Sequence, residues 1–129
     1  MPTWTLNTEF KFDSAHSIEG YDGKCSRVHG HTYRVRISAK SNKLHPSEYL
    51  KTPDMVCDFK QLKWAAKDVE KGGLDHAMLN DHIPVITTAE RIAEYIHKET
   101  SRRIPDDIEL TVVVWETDNS WVEYTDKDV

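Results

Sequence analysis

Two cysteines in 129 residues, Cys25 and Cys57, are too few to build a disulfide scaffold. The opening residues Met-Pro-Thr-Trp-Thr-Leu-Asn lack the basic and apolar regions of a signal peptide. The expectation is therefore a cytoplasmic protein with two free thiols. There is no apolar run of bilayer length, so no membrane-spanning helix is expected. The net charge of −5 comes without a block of either sign, which argues against a nucleic-acid partner. Internal repeats and low-complexity segments are also missing. What remains is a soluble composition, 38% apolar and 30% charged, sized for one domain over 1–129.

What is present is concentrated in Lys24–Tyr33, which holds Cys25 and the pair His29-Gly30-His31. On an extended chain a His-x-His pair places both imidazoles on one face. Upstream, Trp4, Leu6, Thr8, Phe10 and Phe12 alternate as a half-buried strand whose phase runs through Ser14 to His16. Residues 17–28 read as a loop, and alternation resumes with His31, Tyr33, Val35, Ile37 and Ala39 inward. Antiparallel pairing of the two strands would bring His16, His29 and His31 together at one end of the sheet. Three histidines with an open fourth position match catalytic zinc.

Cys25 has three readings: a fourth ligand closing a structural site, an inert small residue, or a thiolate beside the metal whose pKa cations such as Lys24 and Arg27 would lower. A non-catalytic zinc-bearing binding module follows from the first, an enzyme from the third.

Further along, Asp58 and Gln61 form a capping box before a helix carrying Phe59, Leu62, Ala66 and Val69 on one stripe, stopped by Gly72-Gly73. Asp75-His76 follows in a broken polar segment; a direct side-chain pair between neighbours requires a turn there. Thr87 and Glu90 read as a second capping box, opening a helix that buries Ala89, Ile92, Ala93 and Ile96. Ile108, Leu110, Val112 and Val114 define a strand in whose apolar phase Glu116 stands, suited to a planar heterocycle with adjacent N–H donors. A turn at Asp118-Asn119 leads to a last strand, Trp121–Tyr124. His45, His82 and His97 are expected at the surface and Cys57 in a structural role. The order β-β-α-α-β-β argues an α+β fold with an antiparallel sheet and two helices.

Cys-x3-His-Gly-His, the upstream Asp-x-Ala-His, Leu-Asp-His-x-x-Leu-Asn-Asp, Thr-x-Glu and Trp-Glu-Thr together resemble the 6-pyruvoyltetrahydropterin synthase / 6-carboxytetrahydropterin synthase family. The resemblance covers nearly the whole chain. It implies the tunnelling fold (T-fold), in which helices cover one face of the sheet and subunits pool their sheets into a barrel as a homohexamer. It further implies zinc on His16, His29 and His31, Cys25 as catalytic base, and Asp75-His76 as a proton relay reaching a neighbour's site. Glu116 would anchor a pterin, with Thr88 lining its pocket and Lys24 and Arg27 near the triphosphate. The short spacer between Cys25 and His29 resembles the 6-carboxytetrahydropterin branch, which acts on 7,8-dihydroneopterin triphosphate in queuosine and related deazapurine pathways. The pyruvoyl reaction on that substrate is the alternative.

Overall fold

The computed structural model describes residues 2–126. Five strands form one sheet: β1 (Trp4–His16), β2 (His29–Ser41), β3 (Ala77–Met78), β4 (Glu109–Thr117) and β5 (Ser120–Tyr124). Their order is β3-β1-β2-β4-β5. All neighbours are antiparallel except β3, which runs parallel to β1 through Ser14 and Ala15. The expected four-stranded antiparallel sheet thus gains a two-residue parallel strand from the segment that sequence alone left undefined.

The alternation of β1 holds without interruption to its end. Thr8, Phe10, Phe12, Ser14 and His16 are buried, while Glu9, Lys11 and Asp13 are exposed. In β2, Tyr33, Val35, Ile37 and Ala39 are fully buried. They face Val112 and Val114 of β4 through a core completed by helix α2 (Ala89–Ser101), which buries Ile92, Ala93 and Ile96. Sheet on one side and an amphipathic helix on the other is the usual way to bury one face of each.

Two helix boundaries differ from expectation. The cap of α2 is Thr88, whose hydroxyl accepts from Arg91 N–H at 3.3 Å. Thr87 is buried and turned to other partners, so the capping box assigned to Thr87 and Glu90 does not form there, and Ala89 is half-buried.

The second difference is larger. The Asp58–Gln61 box forms, with Lys60 N–H donating to Asp58 and Asp58 N–H to Gln61 Oε1, both at 2.8 Å. Yet helix α1 is only Phe59–Leu62, and Phe59 is exposed. Two 3-10 turns, Trp64–Ala66 and Val69–Lys71, replace its continuation. The carbonyls of Ala65 and Lys67 accept from Leu74 and Asp75 instead of from residues four ahead. The chain folds back on itself because Trp64, Ala65 and Leu74 are all buried, a set that no single helical stripe can cover. Gly73 is the pivot: a Cβ there would lie 2.0 Å from Lys67 O. Among the described residues no helix is long and apolar enough to cross a membrane.

Candidate metal centre

The β1–β2 register sets His16 opposite His29 and Ser14 opposite His31. Because all three histidines keep the inward phase, their rings meet, with centroids 4.6, 4.8 and 5.2 Å apart. One ligand nitrogen from each lies within 4.8 Å of the others. Tyr33, fully buried beneath, packs edge-on against His16 and His31 at 5.9 and 5.4 Å.

Backbone carbonyls set the tautomers of two rings. His16 Nδ1 donates to Thr87 O at 2.8 Å and His29 Nδ1 to Arg27 O at 2.7 Å. A carbonyl can only accept, so each Nδ1 carries the proton and each Nε2 keeps a free lone pair. His16 Nε2 is buried without a hydrogen-bond partner. Burial, followed by the nearby His29 and His31, lowers the pKa of His16 despite the opposing carbonyl bond. A neutral imidazole with a free Nε2 lone pair is the form that ligates a metal. The donor set therefore fits a divalent ion of the zinc type held by three nitrogens.

Glu116 completes the cluster. Its Oε2 lies 3.4 Å from His16 Nε2 and 3.6 Å from His31 Nε2. Burial raises its pKa, opposed by His31 and His29. The residue stands where the pairing of β4 with β5 shifts register between Trp115 and Thr117. The sequence places Glu116 on the apolar face; its proximity to the histidines emerges only with the sheet order.

Cys25 lies half-buried in a 3-10 turn, Lys24–Ser26, joined to the end of β1 by Ile18 N–H donating to Cys25 O at 2.8 Å. It is not one of the grouped ligands. Both cysteines are free, and burial pushes the Cys57 thiol up to about 11. Lys24 and Arg27 are exposed, and it is the Arg27 carbonyl that serves the site.

Asp75 and His76 do pair, Oδ2 to Nδ1 at 2.9 Å, through a turn in which His76 has φ 60°. Asp13 N–H donates to Asp75 Oδ1 at 2.8 Å, and His76 N–H donates to Asp13 O at 2.6 Å. The Asp13 bond first, then His76, holds Asp75 below the usual carboxylate value, while Asp75 raises His76. His76 is 69% exposed and borders an open groove of about 490 Å³ with Asp13, Ser14, Gly30, His31 and Thr32. The groove thus runs along the end of β1 and β2 that carries His31.

Two histidines expected at the surface are not there. His97 is 3% exposed, with Nε2 bonded to Leu110 O at 3.1 Å. His45 is largely covered, its two nitrogens taken by Val56 O and Asp107. His82 is exposed as expected. The site residues missed by sequence reasoning are Thr87 and Asp13. Both act through backbone atoms, which leave no mark in residue type.

Comparison with known proteins bears on this arrangement. The family model described as 6-pyruvoyl tetrahydropterin synthase matches residues 5–127. A 6-carboxy-5,6,7,8-tetrahydropterin synthase of Haemophilus influenzae is 34% identical, covering 92% of this chain and 96% of that protein. One of Synechocystis is 37% identical over 72% of this chain and 71% of its own. In fold, the 6-pyruvoyl tetrahydropterin synthase of Caenorhabditis elegans superposes with a TM-score of 0.72 at 23% identity, covering 98% of both chains. The sheet order, the histidine cluster and these matches agree: the chain belongs to the 6-pyruvoyl tetrahydropterin synthase family and has its T-fold.

Proposed function

We propose that the protein is a zinc-dependent 6-carboxy-5,6,7,8-tetrahydropterin synthase. It converts 7,8-dihydroneopterin triphosphate to 6-carboxytetrahydropterin, acetaldehyde and triphosphate, in queuosine or related 7-deazapurine biosynthesis in the cytoplasm. The observation that carries the reading is the trio His16, His29 and His31, with Nε2 lone pairs freed by carbonyl bonds and Cys25 outside the group. The names of the Haemophilus and Synechocystis relatives and the short Cys25–His29 spacer support the carboxy reaction.

His16, His29 and His31 would hold the metal, which when bound supplies Lewis-acid polarisation of substrate hydroxyls. The remaining steps belong to the chain. Glu116 accepts the ring N–H and amino donors of the pterin, for which a half-buried carboxylate is a bidentate match. Thr88, at the start of α2, lines the same pocket. Cys25 removes a proton from the substrate side chain as general base. His76, steadied by Asp75, exchanges protons with the leaving fragment as the carbon–carbon bond breaks. The relay serves the site of a neighbouring subunit in a homohexamer, as the family resemblance implies.

Incubation with 7,8-dihydroneopterin triphosphate tests the reading: acetaldehyde is released in step with triphosphate. Triphosphate release without acetaldehyde would transfer the protein to the pyruvoyl reaction that its family description names. The closed structural site needs Cys25 among the ligands, and its place outside the imidazole group favours the open one.

A further inference from the structure

About 20 Å separates the ends of α2. Thr88 caps the end nearest the histidines, and beyond the other end the chain forms a second polar cleft. Its volume is about 320 Å³, and Tyr49, Lys60, Gln61, Trp64, Lys67 and Arg103 line it together with Glu48. The chain as a whole is acidic, with a net charge of −5, yet three cations and one carboxylate meet here.

The cations rest on rings. Lys60 Nζ sits 4.4 Å from the centroid of the Tyr49 ring, and Arg103 Cζ sits 4.3 Å from that of Trp64. An aromatic face holds a cation in place without cancelling its charge. The carboxylates nearby offset only part of this charge. The Tyr49 hydroxyl donates to Glu48, and Asp58 caps α1. Glu99 pairs with Arg102 at 2.9 Å and more loosely with Arg103 at 3.8 Å, while Arg103 Nη1 donates to Glu99 O at 2.5 Å. The framework is fixed before any ligand arrives. Trp64 is buried and its Nε1–H donates to Thr100 at 2.8 Å, while the Gln61 amide donates to Arg103 O at 2.9 Å. Three like charges around one cleft repel, and a multiply charged anion relieves that repulsion. A guanidinium fork and two ammonium groups on one cleft suit phosphate oxygens.

We propose that this cleft is a second, non-catalytic binding site for an oligophosphate anion, lined by Lys60, Lys67 and Arg103. Two sources share that chemistry: free inorganic triphosphate and the tail of a nucleotide.

The test is calorimetric titration of the full-length protein with inorganic tripolyphosphate and, separately, with ATP, at matched ionic strength. The comparison protein is Lys60→Gln/Lys67→Gln, two exposed positions whose side chains make no hydrogen bond to the framework described above. Wild-type protein is expected to bind tripolyphosphate in a salt-sensitive manner, and the double variant to bind about tenfold more weakly or worse, with an unchanged melting curve. Equal affinity for the two probes assigns free oligophosphate; tighter ATP binding assigns a nucleotide. Either result upholds the site. Millimolar or weaker binding of both probes by the wild type, or undiminished binding by the double variant, overturns it. Because triphosphate is also a product of the proposed reaction, the site is read as the binding lost in the double variant, which leaves Lys24 and Arg27 intact. That difference involves no turnover and stands whether or not the proposed reaction does.

Discussion

Two residues separate the proposed chemistry from the scaffolding around it. Cys25 stands outside the three-imidazole group, so Cys25→Ala is expected to keep one equivalent of zinc by elemental analysis. Turnover should fall about 10²- to 10⁴-fold, the range for loss of a proton-transfer group. Loss of the metal in that variant would restore the closed structural site. His76 holds φ 60°, the one positive value at a non-glycine among the described residues. Such a backbone costs about 1–2 kcal/mol for a residue with a Cβ. His76→Gly should therefore be more stable than His76→Ala by about 1 kcal/mol in urea unfolding, with both inactive. Asp75 raises the pKa of His76 above its ordinary value of 6.5. The stabilisation from a protonated His76 is complete below that value and is lost as pH rises through the raised one. Asp75 is shifted the other way, so its contribution is lost as pH falls through its lowered value. In an NMR titration the His76 midpoint should lie above 6.5, and Asp75→Asn should bring it down.

At the level of elements, the fold-back at 64–75 positions the relay. Asp75 reaches Asp13 only because α1 stops after one turn and Gly73 passes against Lys67. Gly73→Ala must push backbone apart and is expected to cost about 3 kcal/mol, the upper part of the overpacking range. Gly72→Ala, at φ 90° with nothing within 4 Å, should cost only about 1 kcal/mol. Chemical denaturation of both variants checks the order. Thr88→Ala removes the cap of α2 and should cost about 1 kcal/mol whatever its role toward substrate.

For the whole molecule the open sheet edges matter most. β3 covers β1 only at Ser14 and Ala15, and β5 is the other end of the sheet. Unpaired edges of this length are templates for pairing with another chain. The expected species in sedimentation is a homohexamer. Cys25→Ala and His76→Ala subunits, unfolded and reassembled together, should recover activity in mixed oligomers. A monomer, or verified mixed oligomers without activity, would place the relay back within one chain.

The two long strands, their inward phase, the three converging histidines and the Asp58 cap could all be read along the chain, because period-two alternation and capping are local properties. His16 stays in phase across thirteen residues of unbroken β1, which is why the metal donors were legible. Other features depend on contacts between distant segments. α1 is cut short by burial of Trp64, Ala65 and Leu74 together, and β3 exists because Ser14 and Ala15 offer it an edge. His97 is buried by packing against β4, and Thr87 O meets His16 across 71 positions. Residue types and spacings determined what could bind a metal. Only the tertiary structure decided which nitrogen of His16 is left free to do so, since the Thr87 carbonyl, 71 positions away, holds its Nδ1 proton, whereas for His29 the Arg27 carbonyl two residues back does the same locally.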